Sequence, residues 1–143
     1  MSTVRFPGEY IKRISIHAIA NADAVMRPLG LTAAQSDLLL YLDHRGEEET
    51  TVQDIGTFFQ LKHPTVIGLL KRLEEKGFVT TTVSTRDRRC RVVHLTDKID
   101  AVRRTVAVMR DDLDQRSARG FSDEELAQLT SFLQRVCQNV SDS

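Results

Sequence analysis

The sequence is poor in the devices that staple or load a small domain. It has only two cysteines, Cys90 and Cys137, far apart and without metal-ligand spacing. That excludes a disulfide framework and a cysteine zinc site and leads us to expect a reducing compartment. The histidines His17, His44, His63 and His94 show no H-x-x-x-H or H-E-x-x-H pairing, so no metal is expected either. No apolar run approaches the ~20 residues of a membrane span, and Arg5, Glu9, Lys12 and Arg13 break up the only place for a signal-peptide core. The expectation is a soluble, cytoplasmic protein with no membrane contact. A Gly-rich phosphate loop, a nucleophile elbow and a paired-carboxylate motif are all missing, so neither an enzyme nor a cofactor is expected.

Net charge is also lacking, with Lys+Arg and Asp+Glu both at 20, and the total gives no hint of a nucleic-acid partner. Its distribution does. From Thr32 to Thr57 the acids Asp37, Asp43, Glu47, Glu48, Glu49 and Asp54 face the single base Arg45. From Lys62 to Arg91 the sign reverses: Lys62, Lys71, Arg72, Lys76, Arg86, Arg88, Arg89 and Arg91 outweigh Glu74, Glu75 and Asp87. Such asymmetry predicts a local binding face concealed by a neutral sum.

At 143 residues the chain suits one ordinary domain. Ile11, Ile14, Ala18, Ala22, Val25 and Leu29 recur at steps of three and four and predict a first helix over residues 9–29, ended by Pro28 and Gly30. A second runs from an N-cap at Thr32 through Leu38, Leu39 and Leu42 to Gly46, and a shorter third from Thr51 carries Val52, Ile55 and Phe58 or Phe59 on one face. "KHPTVIGLLKRLEEKG" follows almost at once, with Pro64 in the first turn, Val66, Leu69, Leu70 and Leu73 on the core side, and Gly77 as the stop. Two short helices, the second basic on its outer face, make a helix-turn-helix.

"FVTTTV" and "CRVVHL" then read as a β-hairpin around "STRDRR". Beyond Thr96, a candidate N-cap, Ile99, Val102, Val106, Met109 and Leu113 form one 3-4 seam; Leu126, Leu129, Leu133, Val136 and Val140 form another after Gly120, suited to helix-on-helix association. The expected fold is mostly α with a small β-hairpin wing: a winged helix-turn-helix flanked by N- and C-terminal dimerisation helices. The segments are 1–30 (N-terminal helix of the dimerisation region), 31–96 (winged helix-turn-helix) and 97–143 (C-terminal dimerisation helices).

This order, together with "LTAAQSDLLLYL", "TVQDIGTFFQLKHPTVIGLLKRLEEKGFV" and "RDRRCRVVHLT", resembles the MarR family of winged-helix transcriptional regulators. The motifs span Leu31 to Thr96. The resemblance implies a homodimeric repressor on a pseudopalindromic operator in double-stranded DNA, with recognition helices in successive major grooves and wings at the flanking minor grooves. It implies that Arg89 is the inserted wing side chain and Asp87 the carboxylate that orients a neighbouring arginine. It also implies relief by a small amphipathic or aromatic ligand between the first, second and fifth helices, in a pocket that His17, Asn21 and Tyr41 would line; the plainer reading of His17 is a structural histidine. The sequence departs from the family pattern at Lys62, where serine is common, which leaves His63 as the N-cap position, and at Ile67 and Gly68, where a polar pair is common.

The expected DNA-contacting set is therefore His63, Pro64, Thr65, Ile67, Gly68, Lys71 and Arg72 on the helix and Arg86, Asp87, Arg88, Arg89 and Arg91 on the wing. Arginine suits a narrow minor groove because its weakly hydrated guanidinium tolerates desolvation and responds to the groove's negative potential. Ile67 suits a thymine methyl, and Gly68 suits a close approach to the DNA backbone. Against this stand a solvated hairpin tip, a winged helix that binds only protein, and a redox sensor built on Cys90, whose arginine neighbours would favour a thiolate.

Overall fold

A computed structural model describes residues 7–142; the first six residues of the expected 1–30 segment, Arg5 among them, and the terminal Ser143 lie outside the described residues. The elements are α1 (Pro7–Met26), a 3-10 turn (Arg27–Leu29), α2 (Ala33–Arg45), α3 (Val52–Phe59), α4 (His63–Glu75), β1 (Val79–Val83), β2 (Arg91–Leu95), α5 (Ile99–Ser117) and α6 (Asp123–Ser141). The expected mostly-α fold with one hairpin wing is the fold observed. The chain divides into two compact units, residues 1–109 and 110–143.

In the first unit α1 stops at Met26, earlier than its apolar period suggests. Pro28 lacks the N–H that would continue an α-helix, the chain tightens into the 3-10 turn, and Gly30 closes it with a left-handed φ of 73°. Of the anticipated stripe, Ile11 and Ile14 are exposed, Ala18, Ala22 and Val25 half-buried, and Leu29 leans on the core. The residue that α1 buries completely is Met26.

Thr32 and Thr51 cap α2 and α3 as their sequences imply, and each has a reciprocal partner three residues on, Gln35 and Asp54. Leu38, Leu39, Leu42, Val52 and Ile55 enter the core. On α3 it is Phe59 that leans inward, while Phe58 is 61% exposed and stacks on Tyr41 with ring centroids 4.2 Å apart.

The turn between α3 and α4 rests on two backbone features. Gln60 takes a left-handed φ of 53°, and its N–H bonds back to Gly56 and Thr57 carbonyls. A Cβ on Gly56 would lie 3.1 Å from the Leu61 carbonyl oxygen and 3.7 Å from Val66 Cγ2, so the absence of a side chain there lets the helices close on each other. The N-cap of α4 is Lys62 rather than His63: Lys62 has extended backbone (φ −73°, ψ 150°), and no side chain caps the helix. His63 is already helical, with Pro64 behind it. Val66, Leu70 and Leu73 are buried, and Leu69 lies at the margin of that face.

The antiparallel hairpin pairs Val79 with Leu95 and Val83 with Arg91. A bridge from Thr51 to Val92 and the bond from Val93 N–H to the Thr50 carbonyl (2.9 Å) attach it to the start of α3. Val79, Val92 and Val93 are buried. Thr96, expected to cap α5, lies three residues before it; its hydroxyl donates to the Gly77 carbonyl at 2.6 Å, joining the end of the hairpin to the end of α4. Ile99, Val102 and Val106 bring the start of α5 into the same core, and Arg103 ties it to α2 through Asp43.

In the second unit Ser122 caps α6 through a full capping box with Glu125, whose carboxyl is held below the ordinary glutamate range by the Ser122 N–H and hydroxyl. No residue of α6 is buried; Phe132 is 56% and Leu133 44% exposed.

Candidate nucleic-acid interface

The exposed side of α4 carries His63, Pro64, Thr65, Ile67, Gly68, Lys71 and Arg72, every one of the helix positions singled out from the sequence. The helical period produces this: the residues between Val66, Leu70 and Leu73 are turned outward by the packing of those three. Ile67 stays 40% exposed, an apolar side chain with nothing among the described residues to cover it fully. Beyond its two chain neighbours and the helix's own backbone, no atom of the described residues lies within 4 Å of where a Cβ on Gly68 would stand. Packing inside the chain therefore makes no demand for glycine there.

The loop between the strands, Ser84 to Cys90, is folded around its own polar groups. Ser84 is buried, and its hydroxyl accepts the N–H groups of Arg86 (3.2 Å) and Asp87 (3.4 Å) while donating to Glu49 Oε2 at 3.3 Å. The Ser84 N–H bonds to the Cys90 carbonyl and the Cys90 N–H to the Asp87 carbonyl, both at 2.9 Å. Asp87 Oδ1 accepts the Arg89 N–H at 3.0 Å and Arg89 Nε at 3.2 Å. These contacts, the backbone one foremost, hold the Asp87 carboxyl below the ordinary aspartate range. The acid among the bases thus orients Arg89 itself, whose side chain is still 92% exposed.

Arg86, Arg88 and Arg91 are also exposed. Nothing among the described residues neutralises them with an ion pair. Between this loop and the α3–α4 turn lies a cleft of about 620 Å³, whose lining includes Gln53, His63, Ile67, Arg88, Arg89 and Arg91. Helix and wing residues that the sequence grouped separately border one cavity.

The other candidates fall elsewhere. His17 is exposed on α1, Asn21 half-buried one turn later, and the Tyr41 ring is engaged by Phe58 and Phe59. No hydrogen bond joins these three residues. Cys90 is half-buried and its thiol faces the Asp87 carboxylate at 3.8 Å; Cys137 is exposed on α6. His94 is bonded to Thr82 across the hairpin, Nε2 to Oγ1 2.8 Å. Sequence reasoning missed Ser84 and Glu49, which shape the arginine loop. The available signal was a serine at the end of a β-branched run with an aspartate three residues on, Ser84 and Asp87, a setting for a serine turn.

The first unit is a winged helix-turn-helix with a basic, exposed second helix and an arginine-tipped wing. A family model described as the MarR family matches residues 29–89. The HTH-type transcriptional repressor IacR of Pseudomonas putida is 26% identical over 136 residues, covering 94% of this chain and 80% of that protein. Among solved structures, a MepR–DNA complex from S. aureus superposes with a TM-score of 0.78 at 25% identity over 93% of this chain and 97% of the other. Apo MarR from E. coli, at 23% identity, shares the fold with a TM-score of 0.79 over 91% of this chain and 95% of its own. Residues 29–89 thus match the MarR family, and the chain shares the fold of the solved MarR and MepR winged-helix regulators.

Proposed function

We propose that the protein is a homodimeric repressor of transcription that reads a pseudopalindromic site in double-stranded DNA and is released by a small amphipathic or aromatic ligand, in the cytoplasm and without catalysis. In this reading residues 31–96 read DNA, and residues 1–30 and 97–143 supply the dimer. The observation that carries it is that the arginine loop, with Asp87 paired to Arg89 and no ion pair among the described residues on Arg86, Arg88 or Arg91, lines one cleft together with His63 and Ile67 of α4. Duplex DNA offers a periodic anionic surface on which both elements can act at once, α4 in the major groove and the loop at the adjoining minor groove. The repressor name of the P. putida relative and the DNA-bound form of MepR support the same assignment.

The roles follow from the chemistry of each side chain. Arg89, aimed by Asp87, enters the minor groove. Arg86, Arg88, Arg91, Lys71 and Arg72 meet phosphates, His63, Pro64 and Thr65 meet the backbone at the start of α4, and Ile67 packs on a thymine methyl with Gly68 beside it. The ligand site includes His17, Asn21 and Tyr41; a ligand that favours a DNA-incompetent spacing of the two recognition helices weakens binding by its preference for that state.

Arg89→Ala tests the central assignment. The substitution removes one groove-inserted guanidinium from each subunit, at roughly 1–3 kcal/mol apiece, so affinity for a duplex selected by the protein from random DNA falls by tens of fold or more. Titrations at two salt concentrations separate this from simple phosphate neutralisation, whose removal would weaken selected and random duplexes alike and flatten the salt slope by about one unit per phosphate. Unchanged affinity for both duplexes would reduce the loop to a solvated tip.

A further inference from the structure

The C-terminal end of α4 is braced to a distant part of the chain. Lys76, the C-cap residue, sends its ammonium to the Gly30 carbonyl and to Gln35 Oε1 (3.1 Å). Both acceptors belong to the elbow between α1 and α2. Gly30 closes the 3-10 turn after α1, and Gln35 is the third residue of α2, only 2% exposed, with the same oxygen accepting the Thr32 N–H at 3.1 Å. From the other side Asp23 of α1 accepts the Ala33 N–H at 2.6 Å. The Lys76 carbonyl is taken up by Lys98 Nζ at 2.7 Å, just before α5.

An ordinary lysine at a helix C-terminus turns back on its own last carbonyls. This one leaves them and crosses to the elbow. Its position also argues against a DNA role, because a recognition helix of this kind presents its N-terminal residues to the groove, and Lys76 lies at the opposite end. A charged donor shared between the Gly30 carbonyl and the buried Gln35 amide oxygen makes hydrogen bonds at the strong end of the range, so the pair fixes a distance between the elbow and the far end of α4.

We propose that Lys76 is a positioning residue for DNA recognition: through Gly30 and Gln35 it holds the recognition helix at an angle set by the α1–α2 elbow, and it touches no DNA. The inference rests on the DNA-binding reading above. It makes the elbow the route by which a movement of α1 reaches α4, and Gln35 the residue on which that route depends.

Full-length wild type, Lys76→Met, Gln35→Met and the double variant are titrated with a duplex recovered by the wild type from a random-sequence pool and with an unselected duplex of equal length, each at several salt concentrations. Lys76→Met weakens the selected duplex by about tenfold, the scale of removing one hydrogen bond to a charged donor. It affects the unselected duplex less and leaves the salt slope unchanged. The double variant loses less than the sum of the two single losses, because both variants remove the Lys76–Gln35 bond while each also removes one bond of its own, to the Thr32 N–H or to the Gly30 carbonyl. A salt slope flattened by about one unit per subunit would make Lys76 a phosphate ligand and overturn the proposal, as would additive losses or an unaltered ratio between the two duplexes. Should Gln35→Met fail to fold by circular dichroism, the salt slope and the duplex ratio of Lys76→Met still decide. Failure of the wild type to bind either duplex is a different result: it removes the DNA-binding reading itself, and this inference with it.

Discussion

Asp87 and Gly68 show how much a single position can report. The Asp87 carboxyl is lowered first by a backbone N–H and only then by the Arg89 guanidinium. Arg89→Ala therefore raises its titration midpoint part of the way back to the ordinary aspartate value, because the backbone donor survives; side-chain carboxyl NMR across an acid titration measures this. A lowered carboxylate helps the folded loop above its unfolded midpoint and ceases to help as pH falls through the folded one. The arginine loop is accordingly expected to loosen on acidification and not on alkalinisation. Gly68 gives a cleaner separation of folding from binding. With nothing among the described residues within 4 Å of the added methyl beyond its chain neighbours and the helix's own backbone, Gly68→Ala stabilises α4 by about 1 kcal/mol through helix propensity alone. Thermal unfolding registers that gain, and a simultaneous fall in DNA affinity would mean that the methyl meets DNA backbone.

The pair of Arg103 with Asp43 carries the same reasoning to the junction of helices α2 and α5. Arg103 donates to Asp43 through Nε and Nη2 and to Asp100 through Nη1 (2.8 Å), and the first of these bonds holds Asp43 below the ordinary aspartate range. Asp43→Asn should lower the unfolding midpoint at neutral pH and have little effect at a pH below the folded titration of Asp43, where the wild-type pair is already broken; paired thermal melts at the two pH values read the difference. Elements of this kind were legible in the sequence wherever a local rule governs them. Thr32 and Thr51 followed by Gln35 and Asp54 marked two helix starts, the Val66–Leu70–Leu73 spacing marked the core side of α4, and the β-branched runs marked the hairpin. What depended on contacts distant in sequence was not. Met26 rather than Ile14 is buried because the core meets only the last turn of α1. Phe58 faces out because Tyr41, on another helix, takes its ring. Lys62 rather than His63 holds the N-cap position of α4, after the left-handed Gln60 has set the direction of the chain two residues earlier. The arginines of the site were visible as a cluster, but the hydroxyl of Ser84 and the carboxylate of Glu49, which give the cluster its shape, come from opposite ends of a contact spanning 35 residues.

For the molecule as a whole, the exposed apolar side chains are concentrated where the proposed dimer needs them. Ile14, Ile16 and Ile19 of α1 are each more than half exposed, and Phe132 and Leu133 of α6 nearly so or more. Sedimentation of the intact 16.2 kDa chain is expected to give a species of twice that mass, and Leu133→Asp to shift it toward the single chain.

An α6 with no buried residue of its own has a further consequence. A helix in a folded protein owes most of its stability to whatever covers its apolar side. If a second chain provides the cover, the last helix is folded by mass action, and the free energy of unfolding contains the logarithm of protein concentration. Melting temperature then climbs as the protein is concentrated. Under the proposed dimer the scarce regulator would be the frail one in a cell: at low copy number a growing fraction of chains would have a frayed C-terminus open to proteases, abundance and lifetime would reinforce each other, and the response would sharpen around the concentration at which two chains meet.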